Sequence, residues 1–348
     1  MNKKWNEQIQ ELDQHAMDIS KKKWDSIAKP LHSLGKLEDN LIQIAGMTGS
    51  AAIDVRKKAL VIMCADNGVV EEGVTQSGQE VTALVAENFL SCQATAAILC
   101  RQTGADVIPV DIGMVTDTKV MNRKIAYGTK NLAKEPAMTR EEAIRALETG
   151  ISMVQELAEQ GYKVIATGEM GIGNTTTSSA LAAVFLNRDV EEMTGRGAGL
   201  SSKGLEKKIQ VIRDAIALHQ PGFHDAIDVL ACLGGFDIAG MAGLFIGGAI
   251  CRIPVVLDGF ISSVAALTAV QICPACRNYM LASHVSKEPA AQLVLDALKL
   301  EAPLHCDMCL GEGSGAVMLF PILDMASNIY EKMSTFDDIS LDAYQPLS

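Results

Sequence analysis

A single glutamate, Glu312, stands inside the glycine-rich stretch GEGSG, and an apolar run follows it directly. A carboxylate in a flexible loop with apolar flanks is partly withdrawn from water, and this tunes its pKa. Such a residue can act as a general base near neutral pH. The alternative interpretation is a loop glutamate at a helix start, where the helix dipole stabilises negative charge. Under both interpretations Glu312 lies at a junction between a loop and a helix.

A second glycine-rich stretch, IATGEMGIGNTTTSS at residues 165–179, indicates a strand that turns sharply into a helix opening at Asn174. The backbone N–H groups and the dipole of such a helix start favour a phosphate, although neither GxGxxG nor a Walker motif is present. Another glycine-rich loop, residues 194–200, precedes a helix that carries Lys208. Together these loops predict a site for a nucleoside monophosphate. Because Glu169 would repel a phosphate, we expect it to face a sugar hydroxyl or a basic partner.

Two cysteine pairs have the CxxC spacing of zinc ligands: Cys273 with Cys276, and Cys306 with Cys309 beside His305. The first pair continues an apolar helical pattern, and a free cysteine is often only a small buried hydrophobic residue. We therefore expect no bound metal, with a zinc site as the open alternative.

Strand-like and helix-like segments alternate along the chain and must position these residues. Continuous apolar runs that end in turns predict buried strands at residues 58–69, 105–113, 163–168 and 254–260. Helical periodicity between them, including one long helix over residues 79–101, favours a parallel, doubly wound α/β sheet. Asp66 and Asn67 directly follow the first strand, where they could line a ligand crevice or simply form a turn.

Composition limits the classes of function. The chain has 348 residues, 48% of them hydrophobic, and a net charge of −12. That charge argues against nucleic acid or an anionic membrane as the main partner, since both require a basic surface. The most apolar stretch, residues 240–260, is interrupted by Arg252 and Pro254 and is too short to span a bilayer. The first residues lack the apolar run of a secretory signal, so we expect a cytoplasmic protein.

Seven segments, taken in order, resemble the nicotinate-nucleotide–dimethylbenzimidazole phosphoribosyltransferase family of cobamide lower-ligand synthesis. They are SLGKLE, MCADNGV, GEMGIGNTT, GRGAGL, GGFDIAGMAG, VLDGF and LGEGSGA, and they extend from about residue 30 to about residue 325. The resemblance implies a Rossmann-like parallel sheet flanked by helices as a large domain over residues 29–285. It also implies a smaller helical domain built from both chain ends, residues 1–28 and 286–348.

The resemblance also implies the chemistry. The 5-phosphoribosyl group of nicotinate mononucleotide would pass to an aromatic acceptor, with inversion to an α-ribotide and release of nicotinate. Glu312 would be the catalytic base that takes the acceptor's proton. We expect no cofactor, and no metal would be required, because nicotinate is already activated as a pyridinium. The predicted substrate-binding residues are Ser77, Val85, Glu169, Met170, Gly171, Gly173, Asn174, Thr175, Gly195, Gly197, Lys208, Leu310, Gly311 and Gly313.

The sequence departs from the family pattern at positions that bear on the acceptor. Val85 stands where the best-known members carry a glutamine that contacts benzimidazole, and Asn67 stands where the family has histidine. A benzimidazole, a purine or a phenol are therefore all open as acceptors. Asn67 and a changed first loop, Leu31-His32-Ser33 in place of the family's Pro-Gly-Ser, also favour an alternative: a paralogous subunit that needs a partner chain, in a heterodimer rather than the homodimer usual for the family. An unrelated α/β nucleotide-binding enzyme is a further, less favoured alternative.

Overall fold

A six-stranded, entirely parallel sheet forms the centre of the computed structural model, which describes residues 5–344. Its strands are β1 (Lys58–Ala65), β2 (Asp106–Gly113), β3 (Met121–Asn122), β4 (Val164–Met170), β5 (Val255–Leu257) and β6 (Met280–Ala282). The spatial order β3-β2-β1-β4-β5-β6 is the strand order of a Rossmann fold. The predicted α/β, Rossmann-like class is therefore confirmed.

Helices cover both faces of this sheet, as all-parallel sheets require. The helices are α1 (Gln14–Ser26), α2 (Lys36–Thr48), α3 (Glu80–Leu90), α4 (Thr95–Thr103), α5 (Arg140–Glu159), α6 (Asn174–Leu186), α7 (Val190–Met193), α8 (Ser202–His219), α9 (Ala226–Leu233), α10 (Phe236–Cys251), α11 (Phe260–Ile272), α12 (Ala291–Leu298) and α13 (Ser314–Lys332). Every residue of β1 is buried, which explains why this strand reads as a continuous apolar run.

Glycines bring α5 and α10 into backbone contact. A Cβ added to Gly243 would lie 2.9 Å from the Cα of Gly150, and one added to Gly247 would lie 3.0 Å from the Cα of Ile151. No side chain fits between the two helices at these positions. Gly243 and Gly247 therefore set how closely α10 approaches α5.

The long helix predicted over residues 79–101 is wrong: the structure has two helices, α3 and α4, separated by a short turn. Cys92 in that turn has a φ of 56°, in the left-handed region that ends a helix. By length and composition the combined 24 residues, Glu80–Thr103, could cross a membrane, with a mean hydropathy of 1.4. The break between the helices interrupts that span, and about a third of its most apolar window is buried in the fold.

Backbone hydrogen bonds join the segment after α1 to the segment after α13. The Ala28 N–H donates to the Ser334 carbonyl at 3.0 Å, and the Phe336 N–H donates to the Ser26 carbonyl at 3.0 Å. Helix α1 packs on α2, whereas α13 packs on α2, α4 and β4. The division into a small domain from both chain ends and a large domain over residues 29–285 remains a prediction.

Candidate active site

A cavity of about 280 Å³ opens at the carboxyl edge of the sheet, where the ends of β4, β5 and β6 meet the glycine loops. In an open α/β sheet, this edge is where ligands bind. The predicted site residues that line it are Ser77, Val85, Glu169, Met170, Gly171, Gly173, Asn174, Thr175, Gly197, Leu310, Gly311 and Glu312. Three other predicted residues, Gly195, Lys208 and Gly313, lie outside the lining, directly behind it.

Glu312 lies on the cavity wall, where the start of α4 holds its carboxylate. Its backbone has a φ of 62°, a left-handed conformation that is uncommon outside glycine. One carboxylate oxygen, Oε2, accepts the Ala96 N–H of α4 at 3.1 Å. Burial raises the pKa of Glu312, the Ala96 hydrogen bond lowers it, and the nearby charge of Asp258 raises it again. The raised pKa gives this carboxylate more basicity than an exposed glutamate has.

Asp258 fixes the loop that carries Glu312. It follows β5, is buried, and its Oδ2 accepts the Gly313 N–H at 3.1 Å. Its Oδ1 accepts the N–H groups of Gly315 at 2.7 Å and Ala316 at 3.1 Å. Burial raises the pKa of Asp258. Its position in VLDGF, a carboxylate at a strand end, was a visible signal, yet it is absent from the predicted set.

His284 also lines the cavity and is absent from the predicted set. Its Nδ1 lies 4.0 Å from Asp258 Oδ1 and 3.1 Å from the Ser283 hydroxyl. That hydroxyl donates to the Leu257 carbonyl at 2.5 Å, which ties the end of β6 to β5. Nothing in the local sequence around His284 marks it, because the carboxylate beside it, Asp258, follows a different strand.

Glu169 belongs to a buried acidic network rather than to a basic partner. Asn174 donates to the carboxylate of Glu169 and also to Asp237 Oδ2, at 2.9 Å in the second case. Burial raises the pKa of Glu169 to about 8 and that of Asp237 to about 6. The expected basic partner of Glu169 is not present among residues 5–344. A sugar hydroxyl in the cavity remains the predicted contact.

Lys208 lies fully buried behind the glycine loops. Its ammonium donates to Thr175 Oγ1 at 2.9 Å and to the Gly195 carbonyl at 3.2 Å. Burial lowers the pKa of Lys208 to about 8, and the charge of Glu288 opposes this shift. Because Thr175 is part of the cavity wall, the lysine charge lies one side chain away from the space that a ligand would fill.

The cysteine pairs occupy different environments. Cys273 and Cys276 are buried after α11, whereas Cys306 and Cys309 are exposed in the loop before Glu312. Over residues 5–344, no three His, Cys, Asp or Glu side chains are grouped so that they could hold a metal ion.

The chain matches the phosphoribosyltransferase family model over residues 9–340. Nicotinate-nucleotide–dimethylbenzimidazole phosphoribosyltransferases from Acetivibrio thermocellus and Ruminiclostridium cellulolyticum are 49% and 50% identical to it, and each alignment covers 97% of both chains. The chain belongs to this phosphoribosyltransferase family. The crystal structure of CobT from Thermus thermophilus superimposes with a TM-score of 0.90 at 36% identity, covering 95% of this chain and 100% of that one. Membership in this family makes the chain a pentosyltransferase, as the seven segments predicted.

Proposed function

We propose that this protein transfers the 5-phosphoribosyl group of nicotinate mononucleotide to an aromatic lower-ligand acceptor in cobamide biosynthesis. The observation that carries the proposal is Glu312, a partly buried carboxylate with a raised pKa that faces a cavity between glycine loops. The net charge of −12 fits small-molecule substrates rather than nucleic acid.

The proposed step is a displacement at C1 of the ribose. The acceptor's nitrogen or oxygen forms a bond to C1 from the face opposite nicotinate, so that the β-nucleotide becomes an α-ribotide. The bond between C1 and the nicotinate nitrogen breaks, and its electron pair neutralises the pyridinium as nicotinate leaves. Glu312 takes the proton that the acceptor loses. A phenolic acceptor has a pKa of about 10, so its attack depends strongly on this base.

Acceptor choice is assigned to the wall that contains Val85. This side chain is half-buried, lines the cavity and has no hydrogen-bonding group. A valine there favours acceptors without a ring nitrogen at that point, which includes phenols as well as rings that bind by packing alone. Leu310 and Met170 add further apolar surface to the lining.

The experiment is nicotinate release by the purified chain alone, with nicotinate mononucleotide and dimethylbenzimidazole, adenine, phenol or p-cresol in turn. Turnover with at least one acceptor, and an α-linked product by NMR, supports the proposal. Release of nicotinate without any ribotide product would contradict it, since that is hydrolysis rather than transfer.

We also propose an active form that contains two chains. Exposed apolar side chains on α3 and α4, namely Leu84, Leu90 and Ile98, offer surface for a partner. If the active form is a homodimer, the protein alone is active and has the mass of two chains. If the active form is a heterodimer with a paralogue, the chain alone is inactive and turns over substrate only when the paralogue is added.

A further inference from the structure

Glu288 places a carboxylate inside the glycine loop that precedes α8. It lies between β6 and α12, is partly buried and lines the cavity. Its Oε2 contacts Gly195 so closely that a Cβ at that position would have no room. Burial raises the pKa of Glu288, whereas the charge of Lys208 and the nearby Gly197 N–H lower it. A carboxylate of the protein thus lies against the glycine loop at the place where a ligand anion could meet its backbone amides.

Lys208 is the cation on the other side of this loop. Its two hydrogen-bond acceptors, Thr175 Oγ1 and the Gly195 carbonyl, are neutral. Among residues 5–344 no carboxylate forms an ion pair with it, and Glu288 is the charge that raises its pKa against burial. A buried ammonium without a close counter-ion is costly unless an anion approaches. One cation, Lys208 of α8, and one anion, Glu288, therefore lie beside this loop without forming an ion pair.

We infer that Glu288 is a resident anion of the glycine loop, which the phosphate of the nucleotide must displace. The inference rests on the proposed function, because the incoming anion is the 5-phosphate of the ribosyl donor. A phosphate carries close to two negative charges at neutral pH, against one for a carboxylate. Exchange of the carboxylate for phosphate near Lys208 therefore gains Coulomb energy, whereas a ligand without phosphate gains none.

Glu288 is in this way a specificity-determining residue. A nucleoside or a free base has no group that compensates for moving the carboxylate away from Gly197. A phosphate-bearing donor satisfies both the amide and the lysine. The competing role for Glu288, hydrogen bonding to the ribose hydroxyls of the bound donor, predicts the opposite sign on removal of its charge.

The test is calorimetric binding to the wild type and to Glu288→Gln, which keeps the side-chain shape. The ligands are inorganic phosphate, nicotinate mononucleotide and nicotinate riboside. Glu148→Gln, an exposed change of the same charge outside the cavity lining, is the matched control. We expect Glu288→Gln to bind phosphate and the mononucleotide about tenfold more tightly, with the riboside and the control unchanged.

Unchanged or weaker phosphate binding in Glu288→Gln would overturn the inference, as would undetectable phosphate binding by both proteins. Weaker riboside binding would assign Glu288 to the ribose instead. If Glu288→Gln does not fold, Glu288→Asp withdraws the carboxylate from the loop and has the same expected direction. Because binding of inorganic phosphate involves no turnover, a chain that binds it as expected yet releases no nicotinate would contradict only the proposed function.

Discussion

At the scale of single residues, the raised pKa of Glu312 and its place on the cavity wall lead to the first prediction. Glu312→Gln keeps the shape but cannot take a proton, so kcat falls by about 10²–10⁴-fold while KM for the nucleotide stays close to wild type. Steady-state nicotinate release measures both. Glu301→Gln, an exposed glutamate outside the cavity lining, serves as the control and keeps full activity. A kcat near wild type in Glu312→Gln would remove it as the base.

The second residue-scale prediction concerns the acceptor. Val85→Gln introduces an amide into the cavity wall and shifts the ranking of kcat/KM toward dimethylbenzimidazole and away from phenols, by about tenfold for one added hydrogen bond. Glu87→Gln is the control, since Glu87 is an exposed residue of α3 outside the cavity lining. The same acceptor ranking in the wild type and in both variants would show that Val85 does not determine acceptor choice.

A third prediction uses the lysine behind the loops. Since Lys208 has a pKa of about 8, it loses its proton as the pH rises through that value, and the affinity for nicotinate mononucleotide falls over the same range. The phosphate is mostly dianionic as the lysine titrates, because its second pKa is about 6. Calorimetric titrations from about pH 6.5 to about pH 9.5, a range that brackets the lysine pKa, measure the effect. This fall in affinity with rising pH should disappear in Lys208→Met and persist in Lys207→Met, which changes an exposed neighbour. The same pH dependence in both variants would contradict the assignment to Lys208.

At the scale of elements, Asp258 joins β5 to the start of α13, and so connects the sheet with the Glu312 loop. Asp258→Asn replaces one acceptor oxygen by an N–H₂ group that faces backbone donors. A lost buried hydrogen bond costs about 1–3 kcal/mol, so a misplaced loop is expected to lower kcat by about tenfold to a hundredfold.

The nucleotide KM in Asp258→Asn should change much less than kcat, because the glycine loops that hold the donor are elsewhere. Asp296→Asn on α12 is the control, because it makes the same substitution at an exposed aspartate that accepts a hydrogen bond from Gln292. Equal losses in kcat and nucleotide affinity would indicate general unfolding of the site instead.

The elements also show what local sequence could and could not predict. The glycine loops and Glu312 were predictable, because their signals lie within a few adjacent residues. Asp258 is visible in the sequence as a carboxylate at a strand end, whereas its pairing with His284 requires the parallel sheet, which brings the ends of β5 and β6 to one edge. The sequence does not reveal the break between α3 and α4, because the apolar period continues through it. The break depends on the left-handed backbone of Cys92 and on the hydrogen bond from the Ala96 N–H to the Glu312 carboxylate. Hydrophobic periodicity does not report either feature.

At the scale of the whole molecule, buried acids make stability depend on pH. Glu169 has a folded-state pKa raised from 4.5 to about 8 by burial. Its contribution to stability is therefore fully present below about pH 4.5 and is lost as the pH rises through about 8. Glu169→Gln removes this dependence. Its melting temperature relative to that of the wild type should therefore increase as the pH rises from about 5 to about 9.

Differential scanning calorimetry of the two proteins across that pH range measures the difference. Glu148→Gln should track the wild type, because this glutamate is exposed. A constant offset between Glu169→Gln and the wild type at all pH values would show that the carboxylate remains charged in the folded protein.

The hydrogen bonds between Ser26–Ala28 and Ser334–Phe336 have a consequence for synthesis on the ribosome. The segment that follows α1 leaves the exit tunnel early, but its backbone partners are translated about three hundred residues later, which takes on the order of 15–60 s at about 5–20 residues per second. Glu312 emerges in the same final interval. During that time the segment around α1 lacks its native backbone partners and is open to non-native contacts. The cavity is completed only near the end of translation.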